Sequence, residues 1–299
     1  MINSTTNTIS KFDAWILASR PRTLLAAIVP VLVGTSIAVH DGKFNFTAAL
    51  IAMLCSIFIQ VGTNFANDLF DYLHGSDKHD RIGPQRAVAS GIISINEMKL
   101  GTILTFGLSF FLGLYLVFTG GVFVLLIGII SIIAGMAYTA GPYPLAYNGL
   151  GDVAAFLFFG LIGTVGTYYV QAHEVVSMAF WASIPVGALI TNILVVNNYR
   201  DRDEDRSNGK NTLAVIFGEK FTRIQYVLFM ILSYAILFVV YSTFKKSIWV
   251  FLPMLSLPVS IKLIKMIYTL RGRELNKTLE LTAKLSALYG LLFAIGIII

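Results

Sequence analysis

LIAMLCSIFIQVGTNFANDLFDYLHGSD, residues 50–77, begins as a membrane helix and ends as a cluster of amides and acids. The run from Leu50 to Val61 is apolar enough to enter a lipid core. Asn64, Asn67, Asp68, Asp71 and Asp77 follow where such a helix would emerge. Charge and unpaired amides are costly in hydrocarbon, so polar side chains at this depth mark a site rather than a lipid-facing surface.

The rest of the chain has the same character. Of its 299 residues 56% are hydrophobic and only 13% are charged. A soluble domain carries roughly a quarter charged residues. The apolar residues also come in blocks near the ~20 residues that a helix needs to cross a bilayer. The expectation is an all-α polytopic membrane protein with nine transmembrane helices, over residues 22–40, 46–67, 98–118, 121–140, 152–172, 178–199, 222–243, 248–270 and 281–299. No short apolar stretch with a small-residue cleavage site follows the polar first dozen residues, so the first span is expected to act as its own insertion signal. The single Cys55 rules out an intrachain disulfide.

Charge sets the orientation. With alternating loops, only Lys43, Lys245 and Lys246 of the 22 Lys and Arg fall on one side. Positive loops stay in the cytoplasm, so the N-terminus is expected inside the cell membrane and the C-terminus outside. Only Asp41 and Glu174 of the 16 acids share the outer side. Acids contribute little to topology, so another cause gathers them within. The basic face lacks an aromatic-interleaved groove, which argues against nucleic acid as a partner.

A second acidic segment, NNYRDRDEDRSNGKNTLAV (197–215), follows the sixth span as the first follows the second. Each starts with Asn on an apolar helix and runs through spaced Asp into Gly and a cation. The correspondence suggests one domain over 1–299, built as a pseudo-repeat of helices 1–4 and 5–8 plus a ninth. If the helices continue, Asp68 and Asp71 share a face at i, i+3, as do Asp201 and Asp205 at i, i+4. Two such carboxylate stripes repel unless a hard cation lies between them. Mg2+ suits oxygen donors and is held by one or two carboxylates plus phosphate oxygens. Lys78, Arg81 and Arg86 beside the first motif, and Arg200, Arg206 and Lys210 beside the second, suit phosphate. A solvated loop explains a single DLFD; it explains poorly two motifs that start inside apolar helices on one side. The four His show no ligand spacing. Gly160, Gly163 and Gly166 read as close helix packing, and Tyr138, Tyr143 and Tyr147 read slightly better as interfacial anchors than as site residues.

At these motifs the chain resembles the UbiA superfamily of intramembrane prenyltransferases. NDLFDYLHGSD fits the family's N-D-x-x-D pattern with a further Asp downstream. RPRTLLAAIVPVLVG (20–34), RIGPQRAVASGIIS (81–94) and YTAGPYPLAYNGLGD (138–152) are similar to the branch that uses 1,4-dihydroxy-2-naphthoate in menaquinone biosynthesis. The resemblance implies nine helices around a central cavity open to lipid. It implies polyprenyl transfer from polyprenyl diphosphate to that acceptor, with loss of CO2 and diphosphate. Asp68, Asp71, Asp201 and Asp205 would carry Mg2+, with Asn67 and Asp77 in support. Arg81, Arg86 and Lys210 would hold the diphosphate. Arg22, Asn64, Tyr138 and Asn197 would face the acceptor, with Arg22 or Arg86 on its carboxylate. Hydroxybenzoate-using relatives have a Lys shortly after the Tyr138 position; here the loop to Asp152 has no Lys or Arg, which leaves one diphosphate contact unassigned. The competing readings are a prenyltransferase for a hydroxybenzoate, haem or chlorin acceptor, and a secondary transporter, whose acids would sit nearer the bilayer midplane.

Overall fold

The computed structural model describes residues 10–76, 83 and 86–299, with the side chain of Arg22 excepted. Every regular element among them is helical. A short α1 (Lys11–Ser19) turns at Arg20, in the left-handed conformation, into α2 (Pro21–His40), with Pro21 at the helix start where no N–H is needed. There follow α3 (Phe46–Leu73), α4 (Ile95–Gly120), α5 (Val122–Ala137), α6 (Gly151–Ala172), α7 (Ser177–Arg200), the short α8 (Arg202–Ser207), α9 (Leu213–Phe244), α10 (Ile248–Thr269) and α11 (Leu275–Ile298). Among the described residues, eight helices are long and apolar enough to cross a membrane. The ninth apolar helix, α5, has 16 residues and spans about 24 Å at 1.5 Å per residue. The chain is thus a multi-pass membrane protein of the expected class.

Several helices overrun their apolar runs because their ends are capped. Ser94 and Glu97 form a reciprocal capping box that starts α4 three residues earlier than hydropathy suggests. Thr212 caps α9, which begins at Leu213 rather than 222 and breaks at Gly218, where φ is 78°. A further overrun carries the polar cluster: α3 continues six residues past its expected end, through Asp68 and Asp71 to Leu73, with Asn64 and Asn67 on its last turns.

Helices α2, α7 and α11 form the interior, with Ile37, Val186, Leu189, Tyr289 and Phe293 fully or almost fully buried between them. A close approach fixes α6 on α7: a Cβ at Gly160 would stand 2.7 Å from the Gly187 Cα. Gly163 likewise abuts Pro30 of α2. Gly166 does not behave like these two. A Cβ there would meet nothing within 4 Å, and the residue lines the central cavity. The expectation of close packing therefore holds for two of the three glycines and fails at the third.

Candidate functional site

A cavity of about 850 Å³ lies between α2, α3, α4, α5, α6 and α7. One end is polar, and the remainder runs between residues such as Leu116, Val124, Ile132 and Val170. The half-exposed Phe110 and Ile129 belong to its wall, so the apolar part reaches the lipid-facing surface between α4 and α5.

The polar end is built from three segments far apart in sequence. The first is the end of α3. Asp68 is buried and accepts the backbone N–H groups of Ala87 and Val88, each at 3.0 Å. This folds residues 86–91 back onto α3, where Ala87, Val88 and Ile93 pack against Phe65 and Leu69. One turn on, Asp71 is 3% exposed and takes three donors: Arg86 Nη2 at 3.1 Å, Tyr147 Oη at 2.9 Å and Lys210 Nζ at 2.9 Å. Two cations and a phenol offset the cost of burying this side chain. Asn67 Oδ1 accepts from Thr139 Oγ1 at 2.9 Å, and Asn64 Nδ2 donates to the Ser19 carbonyl at 2.9 Å, pinning the α1–α2 corner to α3.

The second segment follows α7. Asp201 caps that helix, and Asp205 lies on α8; the Asp205 N–H bonds to the Asp201 carbonyl at 2.7 Å, so the i, i+4 relation survives the break between helices. Asp201 is held by the Arg200 guanidinium through Nε at 2.7 Å and Nη2 at 2.6 Å. Arg200 also donates to Asn197 Oδ1 and to Asn276 Oδ1 of α11. The third segment is the loop 138–150. Tyr147 bridges Asp71 to Ser76, its carbonyl accepts the Asn211 N–H at 2.9 Å, and its ring lies 4.7 Å below Lys210 Nζ. Tyr138 lines the cavity, where burial, then the nearby Asp152 carboxylate, pushes its phenol well above the usual range and keeps it neutral.

Of the residues expected from sequence, Asn64, Asn67, Asp68, Asp71, Arg86, Tyr138, Asn197, Asp201, Asp205 and Lys210 all line this one cavity. Asp77 and Arg81 lie outside the described residues, as does the side chain of Arg22. The tyrosines divide: Tyr143 is exposed, whereas Tyr138 and Tyr147 belong to the site rather than to a plain interfacial belt. Sequence reasoning also passed over Arg20, Asp152 and Asn198 as site residues, although all three line the cavity. Asp152 carried a signal of its own, an acid at the start of an apolar span. Among the described residues, no three acidic, His or Cys side chains stand close enough to share one metal ion.

A bundle of membrane helices with a charged mouth opening into a mainly apolar chamber defines an integral-membrane protein with a cavity of amphiphilic lining. The family follows from comparison with known proteins: the UbiA prenyltransferase family pattern matches residues 27–288, and the chain belongs to that family. It is 38% identical over 299 residues to the "1,4-dihydroxy-2-naphthoate octaprenyltransferase" of Escherichia coli K12, covering 97% of this chain and 96% of that one. In structure it is similar to a UbiA homolog from Aeropyrum pernix K1 (TM-score 0.71, 14% identity, covering 91% of this chain and 97% of that one). It is also similar to a UbiA homolog from Archaeoglobus fulgidus bound to GPP and Mg2+ (TM-score 0.69, 17% identity, covering 95% and 99%).

Proposed function

We propose that this chain transfers a polyprenyl group from polyprenyl diphosphate to 1,4-dihydroxy-2-naphthoate, releasing CO2 and diphosphate and giving demethylmenaquinol. The observation that carries this reading is the cavity in which Asp68, Asp71, Asp201 and Asp205 share one end with Arg86, Arg200 and Lys210, while the rest is mainly apolar. The full-length likeness to the E. coli octaprenyltransferase supports the acceptor.

The donor set fits a divalent cation. Every candidate ligand is an oxygen, from four carboxylates and the Asn67 amide. Magnesium is commonly held by one or two carboxylates with phosphate oxygens and water, so a three-acid cluster is not required. Asp68 with Asp71 would hold one ion and Asp201 with Asp205 another, as in the assignment made from sequence, with Asp77 and Asn67 in support. When bound, the metal supplies Lewis-acid stabilisation of the departing diphosphate. Lys210 and Arg86 already converge on Asp71, so a diphosphate entering this mouth meets two cations at once. Arg81 keeps the diphosphate role assigned to it from the sequence motif. Lys210 stands over Tyr147 and supplies the charge that the loop after Tyr138 lacks. The prenyl tail runs into the apolar chamber, whose walls keep water from the electron-poor allylic carbon. Asn64, Tyr138 and Asn197 of the cavity lining would contact the acceptor ring, with Arg22 in the acceptor role assigned to it from sequence.

The orientation read from charge belongs to the proposal: N-terminus and active mouth cytoplasmic in the cell membrane, C-terminus outside. The contacts at the far end support it. Lys43 pairs with Glu174, and Tyr168 Oη donates to Asp41 at 2.8 Å, so the residues assigned to the outer face sit together.

The test is purified protein in lipid nanodiscs with dihydroxynaphthoate and a polyprenyl diphosphate, with and without magnesium. Equimolar CO2 and diphosphate release that depends on all three components is expected. Faster transfer to hydroxybenzoate would reassign the acceptor, and substrate movement across liposomes with no diphosphate release would overturn the enzymatic reading.

A further inference from the structure

Asp152 is a buried carboxylate that neither the metal nor the diphosphate assignment uses. It is 6% exposed and lines the cavity. Its Oδ1 accepts from Asn198 Nδ2 of α7 at 3.1 Å and its Oδ2 from Gln225 Nε2 of α9 at 2.7 Å. Both partners are neutral amides. Among the described residues, no Lys or Arg forms an ion pair with it, unlike Asp71 and Asp201. Two amide donors fix the plane of the carboxylate and leave each oxygen a further lone pair. A membrane-buried carboxylate with no counter-ion among the described residues is costly, and a salt bridge or an apolar side chain would serve stability better.

Asn198 lies three residues before Asp201 on α7, about 4.5 Å along the helix axis, so the carboxylate bonded to it is offset from Asp201 toward the membrane. Tyr138 is its neighbour there: a methyl at Gly151 would stand 3.1 Å from the Tyr138 hydroxyl.

We infer that Asp152 is the proton acceptor for the ring hydroxyl of the aromatic substrate, oriented by Asn198 and Gln225. The inference rests on the reaction proposed above. As the carboxylated ring carbon bonds to the allylic carbon, the adjacent hydroxyl becomes a carbonyl and its proton passes to Asp152. The allylic C–O bond breaks with its electron pair leaving on diphosphate. The ring carboxylate then departs as CO2, its bonding pair returns through the ring to the oxygen, and that oxygen takes the proton back from Asp152. The side chain ends as it began, and the products are prenylated quinol, CO2 and diphosphate.

The test compares two acceptors in the unsubstituted protein and in Asp152→Asn. One is dihydroxynaphthoate. The other is a ring-fluorinated analogue whose hydroxyl is already ionised at the assay pH. A positioned general base contributes about 10²- to 10⁴-fold. With dihydroxynaphthoate, kcat in Asp152→Asn should fall at least ~100-fold with the donor KM unchanged. With the pre-ionised analogue the deficit should shrink to under ~10-fold. A side chain that only ties α6 to α7 and α9 would give the same deficit with both acceptors, and that result, or no deficit at all, overturns the inference. Gln225→Met removes the tie to α9 and keeps the base, so thermal unfolding of both variants separates loss of fold from loss of proton transfer. If the unsubstituted protein fails to prenylate the naphthoate, the underlying reaction falls and this role falls with it; normal turnover with acceptor-independent loss overturns the role alone.

Discussion

Lys210 Nζ lies 2.9 Å from Asp71 Oδ1, joining two residues 139 positions apart and, with them, the two acidic segments of the chain. The contact is largely buried and shares its oxygen with the Tyr147 hydroxyl. Arg86 holds the other oxygen of Asp71, so removing Lys210 leaves the carboxylate partnered. Lys210→Met should therefore fold, with kcat/KM for the diphosphate donor reduced about 10- to 100-fold, the value of a charge-assisted hydrogen bond of ~1.5–3 kcal/mol. The acceptor KM should stay within about 2-fold, since a single anion contact is lost. Steady-state kinetics with each substrate varied in turn checks this.

Asp201 and Arg200 form a different kind of pair, an ion pair between adjacent residues whose side chains are 5% and 2% exposed. Asp201→Asn removes the carboxylate that faces the guanidinium and leaves it on the neutral Asn197 and Asn276 amides, a loss of up to about 3–5 kcal/mol when one partner of a buried pair is removed. Turnover should be abolished and the unfolding temperature lowered. Adding Arg200→Met to Asp201→Asn should recover part of the thermal stability with no recovery of turnover. Recovery of both would mean that Asp201 serves the fold alone.

Chelation addresses the metal without mutation. Treating the protein with EDTA should stop diphosphate release, and added Mg2+ should restore it while leaving the helical circular dichroism unchanged, because cations of the chain already neutralise Asp71 and Asp201. Undiminished release in excess chelator would remove divalent metal from the site.

Two glycines of one helix should respond differently. Gly160→Val forces side-chain atoms onto the Gly187 backbone, and overpacking of this kind costs about 1–3 kcal/mol, visible as a lower unfolding temperature in detergent. Gly166→Leu meets open space in the cavity wall. It should leave stability unchanged and lower kcat/KM about 10-fold or more for long prenyl donors, sparing short ones. Equal effects on both donor lengths would place Gly166 away from the tail.

The helix count, the class and most of the site were legible because lipid imposes rules on local sequence. Backbone groups must bond within a helix, so long apolar runs report spans directly. Asn64, Asp68 and Asp71 stood out as polar residues where α3 should still be apolar, and they do line the cavity. Tyr147 was not legible in this way. Its sequence context is that of an interfacial aromatic, and nothing local indicates that its hydroxyl reaches Asp71. Gly166 sits between Gly163 and α7 contacts in sequence, yet faces empty space, because which glycine meets a neighbour depends on where that neighbour lies.

By itself the sequence determined a bundle of membrane helices and two acidic helix ends with cations beside them, because hydropathy and i, i+3 spacing are properties of contiguous residues. Only the tertiary structure decided which cation answers which acid, that the 138–150 loop closes over Asp71, and that Asp152 faces the cavity with amides for company. Of these, Asp152–Asn198, Asp71–Tyr147 and Asp71–Lys210 join residues 46, 76 and 139 positions apart, and contacts of that kind are set by how the helices and the 138–150 loop pack, which no local pattern encodes.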